Sequence, residues 1–146
     1  MSSHAYSRNY VHLIFGTRKQ RPWIHQPDQL HACMIAIAKQ YAIDVQAIGG
    51  TDNHVHLLMA VPPKLSVAHA VRVNKADSSK WMNDSGHLFA WQTGYGAFSV
   101  SVSNLDTVTA YIANQADHHR QRSFEDEFRE FLRKHGIAST SATRLD

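Results

Sequence analysis

The spacing of apolar residues along this chain alternates between the two-residue period of strands and the three-to-four-residue period of helices. Strand-like stretches occupy residues 10–16, 41–49, 54–61 and 95–102. Apolar residues recur at helical spacing over about 27–41 and 65–83, and again from Leu105 onward. A last amphipathic helix is predicted to begin at the N-cap Ser123 and to end at Gly136. The chain is therefore predicted to mix strands and helices throughout.

The order of these elements is β-α-β-β-α-β followed by helices, which is the order of an α+β, ferredoxin-like (RRM-like) fold. Residues 50–53 form the turn of a β-hairpin between the second and third strands. Two helices are expected on one face of the sheet, which leaves the other face free to build a site. We expect residues 1–136 to form one domain and residues 137–146, rich in Ser and Thr, to form a flexible tail.

Composition narrows the class of protein. The net charge is +3 and the pI is about 9.2, a mild basic bias that favours a polyanionic partner. The single cysteine, Cys33, excludes an internal disulfide and fits a reducing compartment. No run of about 18 apolar residues is present, so we expect a cytoplasmic protein with no membrane partner.

Two pairs of residues carry candidate chemistry. His54 and His56 are two apart on a strand, so their imidazoles face the same side and can hold one metal ion. Tyr111 and Gln115 are four apart, which places a phenol and an amide on one side of a helix. Each pair also has an ordinary interpretation: half-buried histidines, a tyrosine at the rim of the core and an amide in solvent.

Other histidines are less informative. His118 and His119 follow Tyr111 at i+7 and i+8, so either is a candidate proton carrier or phosphate contact. His12 and His69 have no distinguishing feature, and we expect them to be structural or exposed.

Taken together, His54-Val55-His56, the segment 94–99 (Gly-Tyr-Gly-Ala-Phe-Ser) and the stretch from Tyr111 to Gln115 make residues 8–135 resemble a known family. The chain resembles the single-tyrosine HUH transposases of small bacterial insertion sequences, which are related to the REP-associated tyrosine transposases. The REP-associated tyrosine transposases usually carry Asn-Pro one helical turn after the tyrosine. Asn114-Gln115-Ala116 stands here, which favours the insertion-sequence branch.

The resemblance implies the HUH endonuclease architecture and a DNA transposase. Such an enzyme cuts and rejoins single-stranded DNA at hairpin-bearing element ends through a 5′-phosphotyrosine intermediate. Tyr111 then corresponds to the nucleophile, and His54, His56 and Gln115 correspond to the ligands of a divalent metal, Mg²⁺ or Mn²⁺. It also implies a homodimer, in which Tyr111 of one subunit serves the histidines of the other.

Single-stranded DNA would need cationic and aromatic contacts. The candidate phosphate contacts are basic residues near the strand and helix ends: Arg18, Lys19, Arg21, Lys75, Lys80, Arg120 and Arg122. The candidates for stacking on unpaired bases are aromatic, and we expect more than half of them to be core: Trp23, Trp81, Trp91, Tyr95 and Phe98.

Two other functions compete with the transposase. One is a non-catalytic module that binds single-stranded nucleic acid on the same fold, which would leave Tyr111 and Gln115 unexplained. The other is a metal-dependent phosphoesterase, which the sequence disfavours because no further His/Asp/Glu cluster at ligand spacing supplies a carboxylate or a second metal.

Overall fold

A computed structural model describes residues 6–119 and 122–138 of the chain. Four strands, β1 (Tyr10–Gly16), β2 (Asp44–Gly50), β3 (His54–Ala60) and β4 (Gly96–Val100), form one antiparallel sheet in the order β2-β3-β1-β4. The helices are α1 (Pro27–Gln40), α2 (Val67–Asp84), α3 (Leu105–Ala113), α4 (Gln115–His118) and α5 (Phe124–Lys134). The predicted α+β, ferredoxin-like fold is confirmed.

The two central strands, β1 and β3, are buried on both faces of the sheet. Their register pairs Leu13 with Leu57 and Ile14 with His56. Side chains alternate between the faces, so Leu13 and Leu57 point to one side and His56 to the other. β2 is irregular at one point, where the register shifts between Val45 and Ala47.

The first face of the sheet packs against α1 and α2 around the main apolar core. Leu13, Phe15, Val55 and Leu57 belong to this core and are at most 1 % exposed. A few buried polar groups pair inside it: Trp91 donates to Ser78 Oγ at 2.9 Å, and Asn74 Nδ2 donates to the Met34 carbonyl at 3.0 Å. The main apolar core, whose burial stabilises the fold, therefore lies on this face of the sheet.

The second face differs from the expectation that it would be free. α3 packs against the edge strand β2, where a Cβ at Gly49 would collide with the Ile112 carbonyl. α5 packs its apolar stripe on the sheet in a small second cluster, which contains Ile14, Phe98, Phe124, Phe128 and Leu132. An apolar stripe on an amphipathic helix packs against the protein core, and the stripe of α5 is buried against the second face of the sheet.

Most element boundaries lie within a few residues of those predicted, and Ser123 is the N-cap of α5, its Oγ accepting from Asp126 N–H at 3.2 Å. The helix that begins at Leu105 is interrupted at Asn114, so Tyr111 and Gln115, expected on one helix, lie on the consecutive helices α3 and α4. Among residues 6–119 and 122–138, no helix has the length and apolarity needed to cross a membrane. Arg120 and most of the predicted tail, residues 139–146, lie outside the described residues.

Candidate functional site

The two histidines of β3 lie side by side on the second face of the sheet. His54 and His56 are fully buried, with ring centroids 5.1 Å apart. Their placement on one face follows from the two-residue period of the strand. Phe124 of α5 stacks on the His54 ring at 4.4 Å between centroids, so α5 covers the pair.

Tyr111 and Gln115 reach these histidines from the neighbouring helices. Gln115, 1 % exposed, places its Oε1 2.9 Å from His54 Nε2. The Tyr111 ring lies 5.8 Å from the His56 ring in the same chain. The break at Asn114 therefore does not separate the two residues from the site, and the chain assembles Tyr111, Gln115 and the histidine pair in cis.

Glu127 is the residue that the sequence reasoning missed. It is fully buried in α5. Its Oε1 lies 3.0 Å from His56 Nε2, 3.0 Å from His119 Nε2 and 3.5 Å from His54 Nε2. Its Oε2 accepts a short hydrogen bond from the Tyr111 hydroxyl. One carboxylate thus connects the nucleophile candidate to three imidazoles.

A signal for Glu127 existed in the sequence. Residues 124, 127, 128 and 131 share one side of a helix, so a charged residue at position 127 interrupts an otherwise aromatic stripe. A carboxylate almost never occupies a buried stripe without a partner. The interruption therefore pointed to a cationic, histidine or metal partner on the sheet.

The electrostatics of this carboxylate reflect its partners. Burial by itself raises the pKa of Glu127, but hydrogen bonds from His119, His54 and His56 outweigh burial and hold the pKa well below its usual range. Burial lowers the pKa of His56 to about 4, although its hydrogen bond to Glu127 opposes that shift. The site therefore holds an ionised carboxylate beside a neutral His56.

The Tyr111 phenol is half-buried, and burial raises its pKa above the ordinary value. The hydrogen bond to Glu127 adds to this effect, while Gln115 and Arg122 oppose it. Arg122 donates from Nη2 to the phenolic oxygen at 3.3 Å. In this arrangement Tyr111 is protonated at neutral pH, between a carboxylate and a guanidinium.

Both histidines that follow Tyr111 reach the site. His118 stacks on the Tyr111 ring at 4.4 Å, and its buried Nε2 has no hydrogen-bond partner among the described residues. His119 contacts Glu127 through Nε2 and the Arg122 carbonyl through Nδ1 at 2.9 Å. The spacing from Tyr111 had identified both as candidates without distinguishing their roles.

His12 was expected to be structural or exposed, and its position is more specific than that. It is 3 % exposed on β1, and its Nε2 lies 2.8 Å from His56 Nδ1. Burial and the neighbouring His56 lower its pKa to about 3. His12 is therefore a neutral imidazole attached directly to the site.

The donor set suits a divalent metal. His54, His56 and Glu127 offer ligand atoms that all lie within 4.8 Å of one another, and Gln115 Oε1 lies beside them. Two imidazole nitrogens together with oxygen donors form a mixed ligand set, which divalent transition-metal ions such as Mn²⁺ accept. Glu127 supplies the carboxylate whose absence at ligand spacing in the sequence had counted against a metal-dependent phosphoesterase.

The predicted DNA contacts are spread over the molecule. Arg122 lies at Tyr111, and Arg18, Lys19 and Arg21 are exposed where β1 ends. Lys75 and Lys80 are on α2, across the sheet from the histidines. The Lys75 ammonium donates to the carbonyls of residues 92, 93 and 94, and Lys80 pairs with Asp84 at 2.7 Å, so both are engaged within the chain.

The aromatic candidates for base stacking are mostly part of the core. Trp91 and Phe98 are buried, and Trp23 and Trp81 pack partly buried against the first face. Tyr95 is 39 % exposed and is the most accessible of the five.

A model of one protein family matches most of the chain. Residues 5–115 match the family model described as "Transposase IS200 like". A search of curated protein sequences gives no match. Among solved structures, a Deinococcus radiodurans R1 protein assigned as a transposase aligns with a TM-score of 0.62 and 23 % identity, over 79 % of this chain and 96 % of that chain.

A second solved structure shares the fold. A REP-associated tyrosine transposase bound to a REP hairpin aligns with a TM-score of 0.61 and 15 % identity, over 82 % of this chain and 74 % of that one. At these identities the two structures establish the fold.

Proposed function

Because this chain belongs to the IS200-like transposase family, we propose that it cuts and rejoins single-stranded DNA through a covalent bond to Tyr111. One observation carries the proposal. The phenol of Tyr111 and the histidine pair, which lies 55 and 57 residues earlier in the sequence, meet at one buried carboxylate together with Gln115. A module that only binds nucleic acid has no need for this convergence.

The proposed step exchanges one phosphodiester bond for another. The Tyr111 oxygen bonds to phosphorus, the bond from phosphorus to the 3′-oxygen breaks, and the 5′-phosphate stays on the tyrosine. The phenolic proton leaves along its hydrogen bond to Glu127 and passes on to water, because the low pKa of Glu127 keeps that carboxylate ionised, and the departing 3′-oxygen takes up a proton from water. The reverse reaction with another 3′-OH rejoins DNA without ATP, since the bond energy is conserved.

His54, His56, Glu127 and Gln115 are the residues that would hold Mg²⁺ or Mn²⁺. A divalent ion there supplies Lewis-acid stabilisation of charge on the scissile phosphate. Arg122, whose Nη2 is 3.3 Å from the Tyr111 oxygen, would contact the same phosphate. As a permanently charged planar donor, it suits that role.

The test is covalent capture. Protein incubated with a labelled single strand that carries a hairpin, together with Mn²⁺ or Mg²⁺, should yield an adduct that survives a denaturing gel. Tyr111→Phe should abolish the adduct and leave hairpin binding nearly intact, because only the phenolic oxygen makes the bond. Tyr41→Phe, at the C-cap of α1 and packed against the first-face core, is the matched control.

Each alternative has its own outcome in this assay. Retention of DNA without an adduct would support a non-catalytic binding module, and free product without an adduct would support a phosphoesterase. A perfectly paired duplex should be a poor substrate, since it hides the bases from stacking. Equal cutting of duplex and hairpin strand would contradict the proposed substrate.

The proposal includes a homodimer that acts on DNA in the bacterial cytoplasm. The cis contacts of Tyr111 with Glu127 form within one chain, and exchange of the tyrosine helix between subunits is a separate prediction. Mixing Tyr111→Phe with His54→Ala/His56→Ala chains tests it. Recovery of adduct on the chain that lacks the histidines would support exchange. Absence of recovery in verified heterodimers would show that each chain uses its own tyrosine.

A further inference from the structure

His54 and His56, the two histidines of the proposed metal site, have the same orientation relative to the Glu127 carboxylate. Nε2 of His54 and Nε2 of His56 both face the Glu127 carboxylate. Their Nδ1 atoms point away from it and each has a partner: Asn53 Oδ1 lies 2.9 Å from His54 Nδ1, and His12 Nε2 lies 2.8 Å from His56 Nδ1. Both imidazoles thus turn the same nitrogen toward the carboxylate.

We propose that His12 is a positioning residue that fixes the orientation and tautomer of His56, so that His56 presents Nε2 to the metal. This inference rests on the proposed metal site. Histidine ligands of metals commonly donate their other N–H to a neighbouring group, which fixes the ring and raises its basicity. Here that group is a second imidazole, contributed by the adjacent central strand β1.

The neighbouring strand places His12 where this role requires it. His56 pairs with Ile14 in the antiparallel register, so His12 is two residues along β1 and on the same face. Residues in this diagonal position lie within reach of long side chains. The ring centroids of His12 and His56 are 5.1 Å apart, and Phe131 of α5 packs edge-on against the His12 ring at 5.1 Å. Sheet register and α5 together hold the ring in place.

An imidazole at position 12 can serve the site both with and without a metal. Without metal, Glu127 can only accept, so His56 carries its proton on Nε2 and accepts from His12 Nε2–H through Nδ1. A ligand nitrogen must be free of its proton, so metal binding moves the proton of His56 to Nδ1. His56 Nδ1–H would then donate to His12 Nε2, and the single proton of neutral His12 would move from Nε2 to Nδ1. A neutral histidine can exchange these roles, and an apolar side chain offers neither.

The experiment is a calorimetric titration of the full-length protein with Mn²⁺ in the absence of DNA. His12→Phe keeps an aromatic ring against Phe131 but removes the hydrogen bond, and we expect Mn²⁺ affinity to fall by roughly 10–100-fold. His12→Gln places an amide near the same point, where its oxygen accepts and its nitrogen donates. We therefore expect Gln to restore affinity to within a few-fold of the wild type.

A spectroscopic measurement separates positioning from simple stability. In the wild-type protein loaded with Zn²⁺, ¹⁵N NMR should show His56 protonated on Nδ1 and metal-bound through Nε2. In His12→Phe this Nδ1–H signal should lose its protection from exchange with water. If His12→Phe does not fold, the wild-type spectrum still decides the question, because a His56 bound through Nδ1 would overturn the proposal.

The outcomes distinguish this inference from the proposed function. Equal Mn²⁺ affinity of the wild type, His12→Phe and His12→Gln would overturn the role of His12 and leave the metal site intact. Absence of Mn²⁺ binding by folded wild-type protein would instead overturn the metal site itself. Loss of affinity in both variants, with no rescue by Gln, would reduce His12 to a packing residue.

Discussion

The two faces of the sheet use the same two strands for opposite purposes. On the first face, Leu13 and Leu57 join an apolar core under α1 and α2. On the second face, His12, His54 and His56 are equally buried but polar, and hydrogen bonds to side chains of β1, α4 and α5 satisfy them. Burial stabilises the first set directly, whereas the second set must be paired to offset the cost of leaving water.

The comparison indicates that the first face stabilises the fold and that the second face builds the candidate site. Loss of an apolar side chain on the first face should cost stability and leave the site chemistry alone. Loss of a polar side chain on the second face should impair the site more than the fold. Four experiments, in order of decreasing effect, test this difference between the faces.

Adjacent leucines on β3 give the most direct contrast. Leu57 faces the first side and Leu58 the second, and both are fully buried. Leu57→Ala should lower the free energy of unfolding by about 2–5 kcal/mol, through lost transfer energy and a cavity, with unchanged Mn²⁺ affinity. Leu58→Ala should cost a similar amount and also weaken Mn²⁺ binding. Urea unfolding and calorimetry measure both, and identical metal affinities in the two variants would contradict this difference between the faces.

Removal of the charge on Glu127 tests the second face. Glu127→Gln keeps the shape of the side chain but removes the negative charge from the donor set, so Mn²⁺ affinity should fall by on the order of 100-fold. Glu125→Gln is the control, since Glu125 lies in the same helix with its side chain 42 % exposed. Should both substitutions change the affinity equally, a general electrostatic effect of α5 would explain the result.

Lowering the pH should reduce the free energy of unfolding mainly through the buried histidines of the second face. The pKa of His56 is about 4 and that of His12 about 3, against about 6.5 in the unfolded chain. The unfolded state binds these protons first as pH falls, so stability is lost below about pH 6.5 and continues to be lost toward the folded pKa values. Each group can contribute up to about 2 kcal/mol between pH 7 and pH 5.

The measurement is urea unfolding of the metal-free protein at the two pH values. His12→Phe removes one of the two groups and should reduce the pH dependence. A wild-type stability that stays constant from pH 7 to pH 5 would show that these histidines are not buried in the neutral form.

The smallest effect concerns two serine N-caps. Ser66 accepts from His69 N–H at the start of α2, and Ser123 accepts from Asp126 N–H at the start of α5. Replacing either with Ala should cost about 1 kcal/mol. Ser123→Ala should also weaken Mn²⁺ binding a few-fold, because α5 carries Glu127, whereas Ser66→Ala should not.

Much of the fold could be predicted from local pattern. Alternation in β3 and the helical spacing in α1 and α2 depend on each residue's near neighbours, so their periods are visible in the sequence. The same applies to the pairing of His54 with His56 on one face and to the Ser123 cap. The break at Asn114 was not visible, because Tyr111 and Gln115 keep the i, i+4 spacing of a continuous helix across it.

The order of strands and helices, the position of the histidine pair on β3 and the family resemblance that singled out Tyr111 and Gln115 all follow from the amino-acid sequence alone. Three contacts depend instead on how the chain packs: Glu127 joins these residues, His12 contacts His56, and Lys75 donates to backbone carbonyls. The reason is distance along the chain: Glu127 is 71 residues from His56, and His12 is 44. Periodicity reports which side of an element a residue faces, and the packing of α5 and the register of β1 against β3 determine what it meets there.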